Sequence, residues 1–202
     1  MDSGEKIMNA DHIRGQLETT ADLLRSYASE KAGAIAAVSA VIAECIDRGG
    51  MVLFAGNGGS ASQAQHAAAE LVGRFEMERK GYGAVALNTD TSVLTSVAND
   101  YGYERVFERQ VEALGCEGDV FVGLSTSGKS PNVIRAMELA KKMKMTNVAL
   151  TGPEPGKMGE LADYILDVDG APTWRIQEVH LATLHSICAN VEIILTGKTD
   201  NV

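Results

Sequence analysis

Hydroxyl side chains are concentrated in one short segment of the chain. Four of them fall within six consecutive positions: Ser125, Thr126, Ser127 and Ser130. A capping turn needs only one such residue, so the excess favours a cradle in which hydroxyls and backbone amides hold a phosphate dianion at the N-terminus of a helix that begins at Pro131. The GxxxxGK[ST] spacing of a nucleotide-binding loop is absent, which disfavours nucleotide hydrolysis.

A second loop of small residues follows an apolar run and reads Gly-Asn-Gly-Gly-Ser-Ala-Ser from Gly56 to Ser62. Such a segment brings bare backbone amides to a helix N-terminus, where they can bind an anion or a polyol. The other interpretation is a tight strand-to-helix turn with Ser60 as N-cap. The glycines alone leave both interpretations open.

Candidate proton carriers and metal ligands occur in two segments. His66 and Glu70 are four residues apart on a predicted helix, so their side chains share one face. Taken alone, such a pair is more typical of an ordinary contact on a helix surface. The C-terminal segment, which holds two of the four histidines of the chain, adds four polar residues: Gln177, Glu178, His180 and His185.

A glutamate, a histidine, an amide and a phosphate cradle suffice for aldose-ketose isomerisation through an enediol. Glu70 would take the proton from the carbon beside the carbonyl, and a histidine would donate to the developing alkoxide. Histidine, glutamate and glutamine side chains also suit zinc, although glutamine is an unusual ligand and three protein ligands with a water would be adequate. Zinc would polarise the carbonyl and stabilise the enediolate.

The spacing within the C-terminal segment constrains this picture. Gln177 and His185 are eight residues apart, which is about 12 Å along a helix axis, and they differ by about 80° in azimuth. Both side chains cannot easily reach one ion from a single straight helix. We therefore hypothesise a pocket at a subunit interface, with one of these residues supplied in trans. A structure with all four polar groups in one chain's pocket would contradict this hypothesis.

Five short apolar runs alternate with helical patterns and predict the elements that position these loops. The runs lie at 51–55, 84–87, 119–124, 147–150 and 164–168, and they are apolar throughout, as in strands covered on both faces. Helices predicted at 61–73, 103–114, 131–143 and 173–195 supply the covers. The pattern indicates a three-layer α/β domain with a parallel sheet, in which ligands bind beyond the carboxyl ends of the strands.

A long helix is predicted from about residue 11 to 48, before Gly49 and Gly50 end it. Its apolar residues recur at spacings typical of one helix face: Ile13, Leu17, Leu24, Ile35, Val38, Ile42 and Cys45. A helix of this length would project from a small domain, which favours an oligomerisation element. For its second half, packing on its own sheet is an equally good interpretation.

Composition excludes several classes of function. The 202 residues carry a formal charge of −9, so broad attraction to nucleic acid or to an anionic membrane is not expected. Three widely spaced cysteines without a CxxC pair suggest neither a disulfide framework nor a thiolate metal site. Neither a secretory signal over the first residues nor an apolar run of about 20 residues is visible, so we expect a cytoplasmic protein.

Several motifs together resemble those of the phosphoheptose isomerase family, a branch of the sugar isomerase (SIS) superfamily. The resemblance runs from about residue 11 to 195, and its motifs are Phe54 to Ala61, Gln65-His66 with Ala69-Glu70-Leu71, Val97 to Asp100, Leu124 to Gly128 with Ser130, and Arg175 to His180 with His185. The serine cradle is common to the superfamily, whereas the histidine and glutamate positions are typical of this branch.

The resemblance implies a single SIS domain over residues 1–202, with a long N-terminal helix at about 11–48. Its α/β core, at about 51–195, would be a three-layer αβα fold with a flavodoxin-like, parallel five-stranded sheet. It implies one zinc per subunit, bound by His66, Glu70, Gln177 and His185, with Glu70 and His185 as the acid/base pair. It also implies these substrate contacts: Asn57, Gly58, Gly59, Ser60, Asn99, Asp100, Ser125, Thr126, Ser127, Ser130 and Gln177.

By the same resemblance, the reaction converts sedoheptulose 7-phosphate to glycero-manno-heptose 7-phosphate, and the assembly is a homotetramer with active sites at subunit interfaces. His180 matches a family position outside the metal set, so we interpret it as a packing histidine. Trp174 departs from the family pattern, which has a small or acidic residue there, and this bears on substrate preference.

Two alternatives are a binding protein of another class and a related sugar-phosphate isomerase. A non-catalytic SIS protein, such as one that associates with the DnaA initiator, could keep the serine cradle but would not need His66, Glu70, Gln177 and His185 together. A glucosamine-type SIS enzyme would carry a second such domain or an amidotransferase, for which this chain has no room. A pentose or hexose phosphate as substrate stays open.

Overall fold

The computed structural model of the chain describes residues 10–197, so the N-terminal residues over which we expect no secretory signal lie outside it. Five strands form one sheet: β1 Val52–Gly56, β2 Ala84–Ala86, β3 Val120–Ser125, β4 Thr146–Thr151 and β5 Tyr164–Asp167. All neighbouring strands are parallel, in the order β2-β1-β3-β4-β5. This is the flavodoxin-like order. The predicted α/β class with a parallel five-stranded sheet is confirmed.

Helices cover the sheet on both faces and complete three layers. They are α1 Ala10–Asp47, α2 Gly59–Val72, α3 Thr91–Tyr101, α4 Val106–Leu114, α5 Pro131–Lys142, α6 Gly156–Leu161 and α7 Thr173–Thr196. On one face, α1, α2 and α7 bury residues such as Leu71 and Leu184 against the strands. On the other, α4, α5 and α6 bury Phe107, Met137 and Met158. The strands are covered on both faces, as their apolar runs predict.

The two halves of the long helix α1 differ in their burial. Its second half buries Val38 and Ile42 in the core beneath the sheet, so there the interpretation as packing within the chain is the one observed. Its first half leaves Ile13 and Leu17 exposed, at 46% and 66% of their surfaces. Exposed apolar side chains along a projecting helix are typical of a surface that another protein covers.

Two helices were not predicted. α3 has no fully buried residue, although Leu94, Val97 and Ala98 share one face and pack, partly buried, against the core. The Asp90 carboxylate caps α3 by accepting a hydrogen bond from the backbone nitrogen of Val93 at 3.0 Å. α6 has only six residues. The helix predicted from 103 begins instead as a 3₁₀ turn, Tyr103–Arg105, and becomes α-helical at Val106.

Within residues 10–197, one helix is long and apolar enough to cross a membrane by composition, namely α7, with a mean hydropathy of 1.3. This helix packs against α1 and α2, and nine of its residues are buried inside the fold, including His180 and Glu192. Its apolar composition is accounted for by its position as a core helix.

Candidate active site

Three hydroxyls of the predicted cradle converge where β3 ends. Ser125 Oγ lies 2.8 Å from Ser130 Oγ and 3.3 Å from Ser127 Oγ. Ser127 Oγ also accepts a hydrogen bond from the Lys129 amide at 3.2 Å. This group sits at the N-terminus of α5, where unpaired backbone amides and the helix dipole favour an anion.

The cradle is more than a capping turn. Ser130 occupies the N-cap position of α5, yet its side chain makes no capping hydrogen bond and faces Ser125 instead. Gly128 has a φ of +63°, and a Cβ there would lie 2.5 Å from the Glu154 carbonyl oxygen. A larger residue at 128 would therefore be strained and would push the loop away from its neighbour.

The glycine loop enters α2 by a left-handed residue, Gly58, with a φ of +56°. Gly58 is itself the N-cap of α2 and makes no side-chain capping bond. The interpretation of Ser60 as N-cap is wrong, because Ser60 lies inside the first turn and is buried. A Cβ on Gly59 would lie 2.7 Å from the Gln177 side-chain amide, so a larger residue at 59 would displace that flexible side chain from the loop.

Both loops line one cleft of about 330 Å³ at the carboxyl ends of the strands. Its lining includes most of the predicted substrate residues: Asn57, Gly58, Gly59, Ser60, Ser125, Thr126, Ser127, Ser130 and Gln177. Leu124 and Thr173 complete it. A cleft of the same volume at the other end of the sheet, around Gly50 and Asp119, is lined by no serine, threonine or histidine.

The two loops are joined by an amide pair that the sequence did not reveal. Asn57 Nδ2 donates to Asn132 Oδ1 and Asn132 Nδ2 donates to Asn57 Oδ1, both at 2.9 Å. Asn132 is 2% exposed, and the Tyr103 hydroxyl donates to the same Asn57 oxygen at 3.3 Å. The pair fixes the glycine loop to the first turn of α5, beside the serine cradle.

Asn99 and Asp100, which the resemblance implies as substrate contacts, lie near the C-terminal end of α3. Both are exposed, and Asn99 Nδ2 donates to Asp100 Oδ1 at 2.8 Å. Neither lines the cleft within this chain. Their assignment as substrate contacts stays a prediction.

The proton carriers lie together on α2 and α7. The Nε2 atoms of His66 and His185 are 2.8 Å apart, and His66 Nε2 is 3.3 Å from Glu70 Oε1. The Phe75 ring lies against the His185 imidazole, with 5.6 Å between ring centroids. We call His66, Glu70 and His185 the imidazole-carboxylate cluster. A carboxylate and two imidazoles in contact can pass protons to and from a bound carbonyl compound.

The cluster has the donor types of a zinc site but not its arrangement. Within residues 10–197, no group of three or more His, Cys, Asp or Glu side chains is arranged as a metal site. Two nitrogens bound to one tetrahedral zinc would be about 3.3 Å apart, whereas those of His66 and His185 are at hydrogen-bonding distance, 2.8 Å. The side chains are of the types that zinc prefers. If the two imidazole rings moved slightly apart, their nitrogens would match the spacing of zinc ligands.

Gln177 is not part of this cluster. Its side chain lies in the cleft at Gly59, and its backbone carbonyl accepts a hydrogen bond from Gln63 Nε2. Since Gln177 and His185 are two turns apart on α7, about 12 Å along the axis, one chain places them at two different points. Three of the four predicted ligands therefore meet within one chain, and the fourth lies with the cradle.

The cysteines take no part in this chemistry. Cys45 and Cys188 are buried and Cys116 is exposed, and all three are free. Burial raises the pKa of Cys45 to about 11 and that of Cys188 to about 12, so both are protonated thiols at neutral pH. The buried thiols therefore do not act as nucleophiles or as thiolate ligands.

His180 is a packing residue, as the sequence interpretation has it. It is 0% exposed, and its Nε2 lies 3.0 Å from the Thr151 carbonyl oxygen. Burial lowers its pKa to about 4, so the imidazole is neutral at physiological pH. It anchors α7 to the end of β4 without reaching the imidazole-carboxylate cluster.

Replacing His180 with Gln should flatten the acid limb of the stability profile. The folded-state pKa of about 4 lies below the usual 6.5, so the unfolded state binds the extra proton and stability falls as pH drops from about 6.5 to 4. The loss is about 1.4 kcal/mol per pH unit. Urea midpoints between pH 4.5 and 7 measure it, with the exposed His12→Gln variant as control. Equal slopes for wild type and His180→Gln would contradict the assignment.

Replacing Ser125 with Ala should weaken substrate binding with little effect on turnover. The hydroxyl lies at the centre of the cradle, and a hydrogen bond to a charged group contributes about 1.5–3 kcal/mol, so we expect KM to rise about 10-fold or more. Steady-state kinetics and inhibition by inorganic phosphate measure the change. Ser29→Ala, at an exposed serine bonded only to its own helix, is the control. An unchanged KM would exclude a phosphate cradle here.

Trp174 lies at the start of α7, next to the cleft residue Thr173. Its ring is 46% exposed, and the Arg175 guanidinium lies over it at 4.4 Å from the centroid. Trp174 is not among the residues that line the cleft. Its bearing on substrate preference stays a prediction.

Comparisons with known proteins bear on the family to which the chain belongs. The family model described as SIS domain matches residues 17–152. A phosphoheptose isomerase of Geotalea uraniireducens is 47% identical over 187 residues, which cover 93% of this chain and 99% of the relative.

Two solved structures have the same fold. The phosphoheptose isomerase of Neisseria gonorrhoeae superposes with a TM-score of 0.85 at 38% identity, covering 90% of this chain and 97% of the other. That of Francisella tularensis gives a TM-score of 0.86 at 35% identity, with coverages of 90% and 96%. With identity of this level over nearly its whole length, the chain belongs to the phosphoheptose isomerase family of SIS-domain enzymes.

Proposed function

We propose that this enzyme converts sedoheptulose 7-phosphate to D-glycero-D-manno-heptose 7-phosphate, the first step in making nucleotide-activated heptose for a surface glycan. The observation that carries the proposal is the pairing of a hydroxyl cradle with the imidazole-carboxylate cluster. It is supported by the relatives named phosphoheptose isomerase. We further propose that the enzyme acts in the cytoplasm, where its sugar phosphate substrate is held.

The phosphate end of the sugar binds in the cleft. The hydroxyls of Ser125, Ser127 and Ser130 and the amides at the N-terminus of α5 donate to the dianion. Local donors of this kind bind an anion without a cluster of lysines, which accords with the net charge of −9. The glycine loop, fixed by the Asn57–Asn132 pair, contacts the hydroxyls of the sugar.

Proton transfer occurs at the other end of the sugar. The Glu70 carboxylate removes a proton from C1 of the ketose, and His185 donates one to the carbonyl oxygen on C2, which gives the enediol. His185 then accepts the proton of the C1 hydroxyl as C1 becomes the aldehyde, and Glu70 returns its proton to C2. No atom is gained or lost, and both side chains regain their starting protonation.

A zinc ion would be held by His66, Glu70 and His185, with Gln177 as the fourth ligand. When bound, it supplies a positive charge that polarises the carbonyl and stabilises the enediolate. The residues of the chain position the sugar and move its protons.

We place the complete site at a subunit interface in a homotetramer. Within one chain Gln177 lies in the cleft and away from the imidazole-carboxylate cluster, so a Gln177 that joins this cluster comes from a neighbouring protomer. The exposed apolar face of α1, with Ile13 and Leu17, offers a surface for such an assembly. The cleft of one protomer would then adjoin the cluster of the next.

An isomerisation assay on a panel of C5 to C7 sugar phosphates, with and without a chelator, tests the proposed function. We expect turnover with the seven-carbon ketose phosphate, lost with chelator and restored by zinc. Preference for a shorter sugar phosphate would correct the substrate. Binding of the heptose phosphate without isomerisation, with zinc supplied, would refute the enzyme and support a sugar-phosphate-binding regulator.

A further inference from the structure

A buried ion pair links the segment after α2 to α7, and these two helices carry the imidazole-carboxylate cluster. The side chains of Arg79 and Glu192 are 4% and 1% exposed, and Arg79 Nε donates to Glu192 Oε1 at 2.8 Å. Arg79 lies in the segment that follows α2, while Glu192 is on α7. An ion pair removed from water needs further hydrogen bonds to be stable, so the partners of each group show what the pair holds.

The carboxylate of Glu192 holds the segment after α2 by its backbone. It accepts hydrogen bonds from the amides of Phe75, Glu76 and Met77, at 2.8 to 2.9 Å. Burial alone would raise the pKa of Glu192, but these amides and Arg79 lower it below its ordinary value. The group is therefore ionised inside the fold, and the segment is fixed to α7.

The guanidinium of Arg79 holds the last turn of α2. The last four carbonyls of a helix lack partners within it, and Arg79 donates to two of those in α2, at 2.9 Å to Glu70 O and 2.9 Å to Leu71 O. It also donates to Gly73 O and Lys80 O and lies over the Tyr82 ring. The backbone of the proposed base is thus bound directly to the ion pair.

The pair also reaches the histidine of α7. Glu192 follows His185 by seven residues, about two helical turns, so both lie on one face of α7. Phe75, whose amide binds Glu192, packs its ring on the His185 imidazole. The backbone of Glu70 and the ring of His185 are therefore both set by contacts that meet at one ion pair.

We propose that Arg79 and Glu192, together with Phe75, are positioning residues that hold Glu70 and His185 in the geometry of proton transfer. The inference rests on the proposed function for its catalytic meaning. The three residues touch neither the cleft nor the cradle, so they act on turnover and not on phosphate binding. Small misplacements of a catalytic group from a distance lower rates strongly.

Phe75→Leu and Arg79→Lys test this role with modest changes. Leu keeps the amide that binds Glu192 but removes the ring from His185, and Lys keeps the charge but loses the planar fork that reaches two carbonyls. We expect kcat to fall about 10-fold in each, with KM changed less than about twofold. The separate variant Phe75→Tyr, which retains the aromatic ring, should have the kcat of the wild type.

The matched control is Val111→Ala, which opens a cavity in the core on the opposite face of the sheet. It should lower the melting temperature with wild-type kcat. The role would be merely structural if Phe75→Leu and Arg79→Lys lost activity only in proportion to stability, as judged against this control, or if they kept wild-type kcat.

A second readout does not depend on activity. The side-chain NMR signals of His185 should shift in Arg79→Lys, although Arg79 contacts no atom of that ring, and they should be unchanged in Val111→Ala. Unshifted signals in Arg79→Lys would overturn the proposal even for a wild type that isomerises no sugar phosphate. Wild-type inactivity, by contrast, refutes the proposed function and leaves the NMR result to decide the positioning role.

Discussion

Glu70→Gln is expected to lower kcat at least about 100-fold while leaving the affinity for phosphate nearly unchanged. The substitution keeps the size of the side chain and its place beside His66, but an amide cannot take a proton from carbon. Glu70 lies about 15 Å along α2 from Ser60 in the cleft, so the cradle is not altered. Steady-state kinetics and inhibition by inorganic phosphate separate the two effects.

Solvent exchange gives an independent view of the same step. The wild type should incorporate deuterium from D₂O into the sugar at the carbon that Glu70 reprotonates, and Glu70→Gln should not. Glu178→Gln makes the same chemical change at an exposed position on α7 and serves as the control. If Glu70→Gln lost phosphate binding as severely as turnover, the assignment of roles to the two ends of the sugar would be wrong.

The order of elements could be predicted because the strands are buried on both faces. β1 and β3 are buried along their whole length, and all their residues except Ser125 are apolar or glycine, as parallel strands covered by helices require. The same rule did not predict α3, whose apolar face is short: Leu94, Val97 and Ala98 are only partly buried, and Asp90 caps the helix. Elements that contribute little to the core are the ones that hydrophobic patterns miss.

The residues of the site also differ in how far the sequence alone could identify them. The serine cradle is contiguous in the chain, so its excess of hydroxyls is visible before folding, and nine of the predicted substrate residues line one cleft. Asn132, Arg79 and Glu192 act through partners that are distant in sequence, such as Asn57, which lies 75 residues from Asn132. A single asparagine or arginine carries no local sign of such a contact, so only the fold reveals it.

Spacing along one helix indicated where two candidate ligands lie relative to one another. Gln177 and His185 are eight residues apart, which predicted that both could not easily reach one ion within one chain, and the structure places them in the cleft and in the imidazole-carboxylate cluster respectively. Since helix geometry is nearly invariant, this inference needed no knowledge of tertiary contacts. That a neighbouring protomer supplies Gln177 to the cluster stays a prediction.

Mixed oligomers of two inactive variants should recover activity if Gln177 acts in trans. Glu70→Gln and Gln177→Ala are each expected to be nearly inactive alone. In an oligomer that contains both, some sites combine an intact Glu70 from one protomer with an intact Gln177 from its neighbour, about one quarter of sites for random equal mixing. Co-expression with two different affinity tags, tandem purification and the isomerisation assay measure the recovery.

The control for this experiment is a pair of variants that should not complement. Glu70→Gln and His66→Ala alter residues that lie in contact within one chain. Every protomer of a mixed oligomer carries one of the two changes, so no site has both residues intact. Recovery with the Gln177 pair alone would therefore locate Gln177 across the interface. If neither pair recovered, all four groups would act within one protomer, α7 would have to bend or shift to bring Gln177 to the cluster, and the composite site would be excluded.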